Sequence, residues 1–324
     1  MKLMFIFLMC SERSGSNFIT KLMNGHPELI GPSTKHILNP VLKNYFRYGN
    51  LAIQDNWLDL LADIVTLFKV DFSIWKTELS VELLLTFAEP GDLPSLLKNL
   101  FLHEARLHGK TSVFVKENKI YEFYPYLVKY FGESKFVYQV RDPRDMALSW
   151  KLNKNIKGGV VEAAQQWKKD QQGFMAMRAL LKDQVYTITY ENMVTRPEAE
   201  LTSLCQFLGL EYAPKMLEFY LDELTQKNAQ MNSAWSNLSK GIMENNCNKY
   251  RDLLSAQEVK AVEKVCFHEM KQLDYATDNA KAALDKVSMQ ELDVLSAQQR
   301  NSLEYAPVKG IRDNMVAKAR FYQK

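Results

Sequence analysis

The sequence predicts an α/β fold with a central parallel sheet flanked by helices. Four short apolar runs have the pattern of buried strands, and segments with helical spacing separate them along the chain. Strands that alternate with helices pair in parallel through right-handed crossovers. The predicted strands are Leu3 to Cys10, Ser112 to Val115, Lys135 to Val140 and Val185 to Tyr190.

The first crossover is longer than the others and is predicted to be helical. Apolar residues recur in it at helical spacing from Trp57 to Phe68 and from Leu93 to His103. We therefore predict one main domain over residues 1–275, a helical insertion at about 40–110 after the first strand region, and a C-terminal helical extension over 276–324. Further helices are predicted at Pro197 to Leu208, Pro214 to Glu223 and Ala256 to Leu273.

The composition is that of an ordinary globular protein, since 47% of the 324 residues are hydrophobic and 24% are charged. The net charge of +3 is too small to indicate nucleic-acid binding. No stretch approaches the roughly 18 consecutive apolar residues of a membrane span, and the apolar N-terminal run lacks a signal-peptide cleavage site. The four cysteines are far apart, which indicates neither a zinc site nor disulfides. We expect a cytoplasmic protein with no nucleic-acid partner and no membrane span.

A polar loop from Ser11 to Asn17 follows the first strand and has the residues of an anion-binding loop. A helical pattern begins directly after it, so the loop N–H groups and the helix N-terminus favour phosphate or sulfate at the same place. Gly15 permits close approach, Ser14 and Ser16 offer hydroxyl donors, and Arg13 supplies a positive charge. An ordinary turn is the alternative interpretation. The loop lacks the Lys-Ser/Thr pair of nucleoside triphosphatases.

A second anion site is predicted after the third strand. Asp142 suits a helix N-cap and Pro143 suits the first helical position. Ser149 lies almost two turns after the cap, so it returns to the face from which Arg141 approaches. Both loops leave carboxyl ends of parallel strands and open into one crevice. A capped surface helix with an Arg141–Asp145 salt bridge is the alternative.

These two loops resemble the sulfotransferases that use 3′-phosphoadenosine 5′-phosphosulfate (PAPS). The loop resembles their 5′-phosphosulfate loop, and Arg141 with Ser149 resembles their 3′-phosphate site. Tyr190 is similar to a tyrosine that lies near the adenine, although a core aromatic is an equal alternative. The resemblance covers residues 1–36 and 111–275. It implies that the donor is bound by Arg13, Ser14, Gly15, Ser16, Asn17, Arg141, Ser149, Tyr190, Lys240, Lys249 and Arg251.

The resemblance implies a P-loop-like sulfotransferase architecture and a sulfotransferase domain over residues 1–275, with the insertion on the acceptor side. The sulfuryl group would move by in-line displacement to a hydroxyl or amine of a small-molecule or glycan acceptor, with Arg13 stabilising the bridging oxygen. No metal is expected, because a sulfuryl group bears less charge than a terminal phosphoryl group. Aromatic residues of the insertion would line the acceptor site or belong to the core, namely Trp57, Phe72, Trp75 and Phe87.

The general base is where the sequence departs from the family pattern. Relatives with this loop use a glutamate at the position that holds Thr34 here. The nearest candidates are His36, which titrates near neutral pH, and Glu117, which follows Lys116 at the end of the second predicted strand. We expect His36 to act before Glu117, with a pKa near 6.5 displaced upward by the donor's phosphates. Lys35 is expected to be protonated beside the donor.

Two other classes of protein remain open from the sequence. A P-loop kinase or nucleotide-binding protein without sulfuryl transfer would use the same kind of loop, although the missing Lys-Ser/Thr pair opposes it. A non-catalytic binding protein would explain the missing glutamate. Binding of adenosine 3′,5′-bisphosphate (PAP), compared with that of ATP and magnesium, would separate the first alternative from a sulfotransferase.

Overall fold

A five-stranded parallel sheet in the order β2-β3-β1-β4-β5 forms the centre of the molecule. The structure is a computed structural model that describes residues 3–231 and 233–324, so the first two residues of the predicted domain lie outside the described residues. The α/β class is confirmed. The strands are β1 (Phe5–Cys10), β2 (Leu29–Ile30), β3 (Ser112–Lys116), β4 (Lys135–Val140) and β5 (Val185–Thr189). The sequence did not predict β2, because two residues are too short to form a pattern.

Both faces of the sheet are covered. Phe5, Phe7 and Met9 of β1 belong to one hydrophobic cluster, and the alternate residues Ile6 and Leu8 belong to another. This alternation follows from the two-residue period of a strand, and burial on both faces explains the continuous apolar run in the sequence.

The helices cover these two faces and continue into the C-terminal extension. They are α1 (Ser16–Asn24), α2 (Leu38–Asn44), α3 (Gln54–Phe68), α4 (Val81–Leu85), α5 (Leu93–Leu107), α6 (Tyr124–Tyr130), α7 (Pro143–Lys151), α8 (Val160–Leu181), α9 (Tyr190–Thr195), α10 (Pro197–Leu208), α11 (Glu223–Met231), α12 (Tyr250–Leu253), α13 (Ala256–Gln272), α14 (Lys281–Asp285), α15 (Met289–Ser302) and α16 (Lys309–Gln323). Short 3-10 helices span Tyr45–Tyr48, Ile120–Glu122, Lys182–Gln184, Pro214–Leu221 and Ser233–Ser239.

Most of the predicted helices are present with close boundaries. α10 ends before Gly209, whose φ of +74° is the left-handed conformation that terminates many helices. The prediction of one helix from Pro214 to Glu223 is wrong, because that segment is a kinked 3-10 helix to Leu221 and α11 starts after it.

The C-terminal extension packs back onto the sheet domain. Gln299 of α15 accepts a hydrogen bond from the backbone N–H of Val160 at 2.8 Å, at the start of α8. α16 then packs on α2 and α3, where Arg320 lies 2.5 Å from Asp63 and Phe321 is fully buried. No helix in the described ranges combines the length and apolarity that crossing a bilayer requires.

Candidate active site

The loop between β1 and α1 is stabilised by hydrogen bonds between its own residues. The hydroxyl of Ser14 donates to the carbonyl of Ser11 at 2.7 Å, and Ser14 is buried. Ser14 therefore stabilises the loop with its side chain, whereas the sequence suggested a free hydroxyl donor. Arg13, Gly15, Ser16 and Asn17 line an adjoining cleft of about 650 Å³. A volume of this size falls within the usual range for small-molecule sites.

Gly15 is required at its position for two reasons. Its φ of +84° is a conformation that side chains disfavour, and a Cβ atom there would lie 2.3 Å from Cδ2 of Tyr190. The ring of Tyr190 therefore packs directly against the loop. Phe18 contacts this ring edge-to-face at a centroid distance of 6.2 Å and also lines the cleft. The sequence analysis missed Phe18, although an aromatic directly after the loop is a signal for stacking.

Arg141 is fixed beside the loop by backbone carbonyls. Its Nη1 donates to Arg13 O at 2.9 Å, its Nη2 donates to Asn246 O at 3.2 Å, and its guanidinium lies 4.4 Å from the centre of the Tyr190 ring. The Nε atom is buried and has no hydrogen-bond partner in the described part of the chain. Because a guanidinium has five N–H donors and only two are used here, Arg141 keeps donors for an anion.

Ser149 is on α7 and faces the loop between β1 and α1. Its Oγ accepts a hydrogen bond from Arg13 Nε at 3.1 Å, and the residue lines the same cleft as Arg141. Asp142 caps α7 by accepting from the Arg144 backbone N–H, as expected. The alternative Arg141–Asp145 salt bridge is not formed, because the Asp145 carboxylate accepts from backbone N–H groups of residues 248 and 250.

The side chains of Arg13 and Arg141 therefore both line the cleft, and Arg141 bonds to the backbone of Arg13. Neither Arg13 nor Arg141 has a carboxylate partner within 4 Å among the described residues. Burial lowers the pKa of Arg13. The positive charge of the neighbouring Arg141 also lowers this pKa, and the negative charge of Glu12 raises it. An arginine stays protonated at neutral pH, so the cleft carries positive charge that an anionic ligand would balance.

The C-terminal basic residues are placed unequally. Lys249 lines the cleft, whereas Lys240 is exposed and is not among the lining residues. Arg251 also lies outside the lining, with Nη2 at 3.4 Å from Asp278 Oδ1 and its guanidinium over the ring of Tyr250. The cleft contains other residues that the sequence analysis missed because they are distant along the chain, namely Trp235, Asn246, Ala306 and Val308.

His36 and Glu117 form a buried pair at the carboxyl end of β3. His36 Nδ1 lies 2.7 Å from Glu117 Oε1, and the carboxylate also accepts from the backbone N–H groups of Leu38 and Asn118. Burial lowers the pKa of His36 to about 3 despite the carboxylate, whereas the upward displacement expected from the sequence was assigned to the donor's phosphates. Burial alone would raise the pKa of Glu117, but His36 and the lysines outweigh it and the net shift is downward. The imidazole is therefore neutral and the carboxylate charged at pH 7.

These hydrogen bonds decide the tautomer of His36. Because Glu117 is an acceptor, Nδ1 carries the proton and Nε2 is left with a lone pair. The two residues and Lys116 line a small cavity of about 10 Å³. Thr34, at the position of the family's glutamate, donates its hydroxyl to Lys116 O at 3.0 Å.

Lys35 does not line the cleft that adjoins the β1–α1 loop. Its Nζ donates to the carbonyl of Phe68 at 2.7 Å, and burial lowers its pKa to about 8. The expectation that it faces the donor is wrong, because the helical insertion supplies carbonyl groups that bind it.

Of the four insertion aromatics, Phe72 is the one in ring contact with His36. Its ring lies 5.4 Å from His36 and 5.3 Å from Trp235. Trp57 is fully buried, Trp75 donates to Ser33 O at 2.5 Å, and Phe87 packs on the core.

Comparison with known proteins identifies the family and the fold of this chain. The family model described as "Sulfotransferase family" matches residues 6–214. The sulfotransferase domain from the Synechococcus PCC 7002 olefin synthase is similar with a TM-score of 0.59 at 17% identity, covering 85% of this chain and 95% of that chain. The sulfotransferase domain from the curacin biosynthetic pathway is similar with a TM-score of 0.56 at 18% identity, covering 85% of this chain and 99% of that chain. No match to this chain is found among curated proteins.

The chain belongs to the sulfotransferase family, and it has the P-loop-like fold of these neighbours. Within the described ranges, no three His, Cys, Asp or Glu side chains are grouped so that they could hold a metal ion.

Proposed function

We propose that this protein transfers the sulfuryl group of PAPS to a hydroxyl or amine of a small-molecule or glycan acceptor. The observation that carries the proposal is that the guanidinium groups of Arg13 and Arg141 line one cleft together with Ser149, have no carboxylate partner among the described residues, and leave N–H donors free. Arginine forks suit phosphate and sulfate oxygens because they donate two parallel hydrogen bonds. The proposal includes a cytoplasmic location and no metal requirement.

The donor would lie in the 650 Å³ cleft, and the residues at its two ends would fix the orientation of the donor. Arg141 and Ser149 would bind the 3′-phosphate, and Arg13 with the loop N–H groups would bind the 5′-phosphosulfate. Tyr190 and Phe18 offer ring faces for the adenine. Lys249, which also lines the cleft, would add positive charge near the phosphates of the donor. Lys240 and Arg251 would contribute only through the general positive potential, since neither lines the cleft.

Sulfuryl transfer would proceed by in-line attack. The acceptor oxygen or nitrogen forms a bond to sulfur while the bond from sulfur to the bridging 5′-phosphate oxygen breaks, and PAP leaves with that electron pair. Arg13 stabilises the charge that grows on the leaving oxygen, and Lys116 stabilises the sulfuryl oxygens. The acceptor proton goes to a base on the protein.

We assign the base to His36 Nε2 and a positioning role to Glu117. A buried carboxylate that accepts from Nδ1 orients the imidazole and stabilises the imidazolium that forms when Nε2 takes a proton. The two candidates from the sequence are thus parts of one pair. His36 is neutral at pH 7, so its Nε2 can accept a proton. Its lowered pKa makes it a weak base, and the Glu117 carboxylate acts against that lowering.

The test starts with ligand binding and ends with turnover. Calorimetry should detect PAP and PAPS binding without metal, and weaker binding of ATP with magnesium. The reverse preference would favour the kinase alternative. Labelled PAPS with a panel of alcohols, phenols, amines and glycans then identifies the acceptor class, and binding of PAP without any turnover would favour a non-catalytic protein.

His36→Asn tests the base with little strain. Asparagine tolerates the φ of +53° at this position, and its amide can still donate to Glu117. Turnover should fall by about 10²- to 10⁴-fold while PAP affinity stays nearly unchanged. The matched control is His268→Asn at an exposed position on α13. Unchanged turnover in His36→Asn would remove His36 from the mechanism.

A further inference from the structure

Phe72 links the proposed base to the donor cleft through direct ring contacts. Its ring centre lies 5.4 Å from that of His36 and 5.3 Å from that of Trp235. Trp235 in turn lines the cleft. An unbroken series of side-chain contacts therefore runs from the imidazole to the space in which the donor would lie.

The side chains around this series of contacts are apolar. Trp235 and Leu238 form a small hydrophobic cluster with Ala229, and Phe18 and Phe72 pack against it. Three of these side chains also line the cleft, namely Phe18, Trp235 and Leu238. We call Phe18, Phe72, Trp235 and Leu238 the apolar wall. Apart from the indole N–H of Trp235, the side chains of the apolar wall present only carbon, and those of Phe18 and Phe72 remain partly exposed.

The segment around Phe72 is fixed by hydrogen bonds to two other parts of the chain. The Ser73 hydroxyl donates to Thr34 O at 2.8 Å, in the segment that leads to the base pair. The backbone N–H of Ile74 donates to Asn228 Oδ1 on α11 at 2.8 Å, and Asn228 Nδ2 donates back to Ile74 O at 3.1 Å. These bonds hold Phe72 in place and engage the polar side chains beside it. The phenyl ring is therefore the surface that this segment offers to a ligand.

A wall of this composition discriminates between classes of acceptor. Because the rings of Phe72 and His36 are in contact, an acceptor whose hydroxyl or amine reaches His36 places its adjoining carbon atoms against Phe72. Burial of an apolar group at this place is favourable. A sugar hydroxyl buried against carbon instead loses its hydrogen bonds to water without replacement. The apolar wall therefore favours an apolar acceptor over a glycan.

We propose that the acceptor is an alcohol, phenol or amine on an apolar, ring-bearing skeleton, and that Phe72 determines this specificity by packing against that skeleton. Phe72 already contacts two rings at steep angles, His36 at 54° and Trp235 at 82°. A ring of the acceptor would add a contact of the same kind. The inference rests on the proposed function, and it selects apolar small molecules among the acceptors named there.

The first arm of the experiment compares acceptors on the wild-type protein with labelled PAPS. Cyclohexanol and glucose share a six-membered ring and differ in their polar groups. Benzyl alcohol and 2-naphthol extend the apolar series, and cellobiose represents a longer glycan. The value of kcat/KM should be at least about tenfold higher for the apolar acceptors than for either sugar.

The second arm measures the contribution of Phe72. Phe72→Ala should lower kcat/KM for 2-naphthol about tenfold, mainly through KM, while PAP affinity measured by calorimetry stays within about twofold of wild type. Leucine and glutamine are similar in size, and Phe72→Leu should keep most of the preference for 2-naphthol over glucose whereas Phe72→Gln should lose it. The matched control is Phe46→Ala, because Phe46 is 63% exposed and is not among the residues that line the cleft. Thermal melting checks the fold of each variant.

The remaining outcomes each decide the question. A wild-type preference for glucose or cellobiose, or PAPS binding without turnover of any apolar acceptor, would overturn the proposal. An equal fall in kcat for every acceptor in Phe72→Ala, with KM unchanged, would also overturn it, since Phe72 would then act only on His36. If Phe72→Ala melts early, the comparison of Phe72→Leu with Phe72→Gln takes its place. If the wild type binds neither PAPS nor PAP, the proposed function itself fails, which is a different result.

Discussion

Replacing Arg141 by alanine should remove the preference for ligands that carry a 3′-phosphate. Three of the five N–H donors of Arg141 are not used by the carbonyls of Arg13 and Asn246. A hydrogen bond to a charged partner contributes about 1.5 to 3 kcal/mol. At about 1.4 kcal/mol per factor of ten, one such contact corresponds to a change in affinity of roughly 10- to 150-fold.

The ratio of two affinities isolates this contact from damage to the loop. Arg141 also holds the loop through Arg13 O, so Arg141→Ala will weaken every ligand that uses the loop. PAP and AMP share that part of the site and differ in the 3′-phosphate. We therefore expect the ratio of PAP to AMP affinity, measured by calorimetry, to fall by about 10- to 150-fold.

Arg106→Ala is the matched control, because this basic residue lies exposed at the end of α5. It should leave the ratio unchanged. An equal loss of PAP and AMP affinity in Arg141→Ala would refute the assignment of the 3′-phosphate to Arg141.

Three further predictions follow from the site. Arg13→Met should lower turnover more than PAPS affinity, because its partner charge grows in the transition state; a rise in KM alone would contradict this. Gly15→Ala should lower the melting temperature and weaken PAP binding, since its Cβ would overlap the Tyr190 ring at 2.3 Å. His36 stays neutral in the folded state at pH 5, whereas it takes up a proton in the unfolded state below about pH 6.5. The free energy of unfolding of the wild type, measured by urea titration, should therefore be about 2 kcal/mol lower at pH 5 than at pH 7, and it should fall less in His36→Asn.

The parts of the site that the sequence predicted are encoded locally. Asp142 and Pro143 define the start of α7 by themselves, and this start places Ser149 two turns later on the side of the donor loop. The loop at Gly15 is similarly specified by its small residues and by the strand and helix around it. Short-range rules of capping and turn formation suffice for such features.

The parts that the sequence did not predict depend on distant contacts. Lys35 was expected at the donor, but Phe68 supplies the carbonyl that binds it. The pKa of His36 depends on its burial and on the charges of residues that are distant along the chain, namely Lys318, Glu117 and Lys116. The position of α16 beside the site depends on side-chain packing with α2 and α3, and amphipathic spacing alone does not identify the partner of a helix.

The order of the strands explains why the two halves of the site lie on opposite sides of β1. The chain places β3 on one side of β1 and β4 on the other, so β1 is the point at which the connections change direction. Ligands of open α/β sheets bind at such points, at the carboxyl ends of the strands. Leu8 of β1 is level with Lys116 on the β3 side, and Cys10 is level with Gln139, two residues before Arg141, on the β4 side. Arg141, the proposed phosphate-binding residue, and the proposed base pair thus flank the loop that follows β1. In the proposed mechanism, a sulfuryl group held by that loop would have its leaving group toward β4 and its acceptor toward β3. Opposed positions of this kind are what an in-line displacement requires.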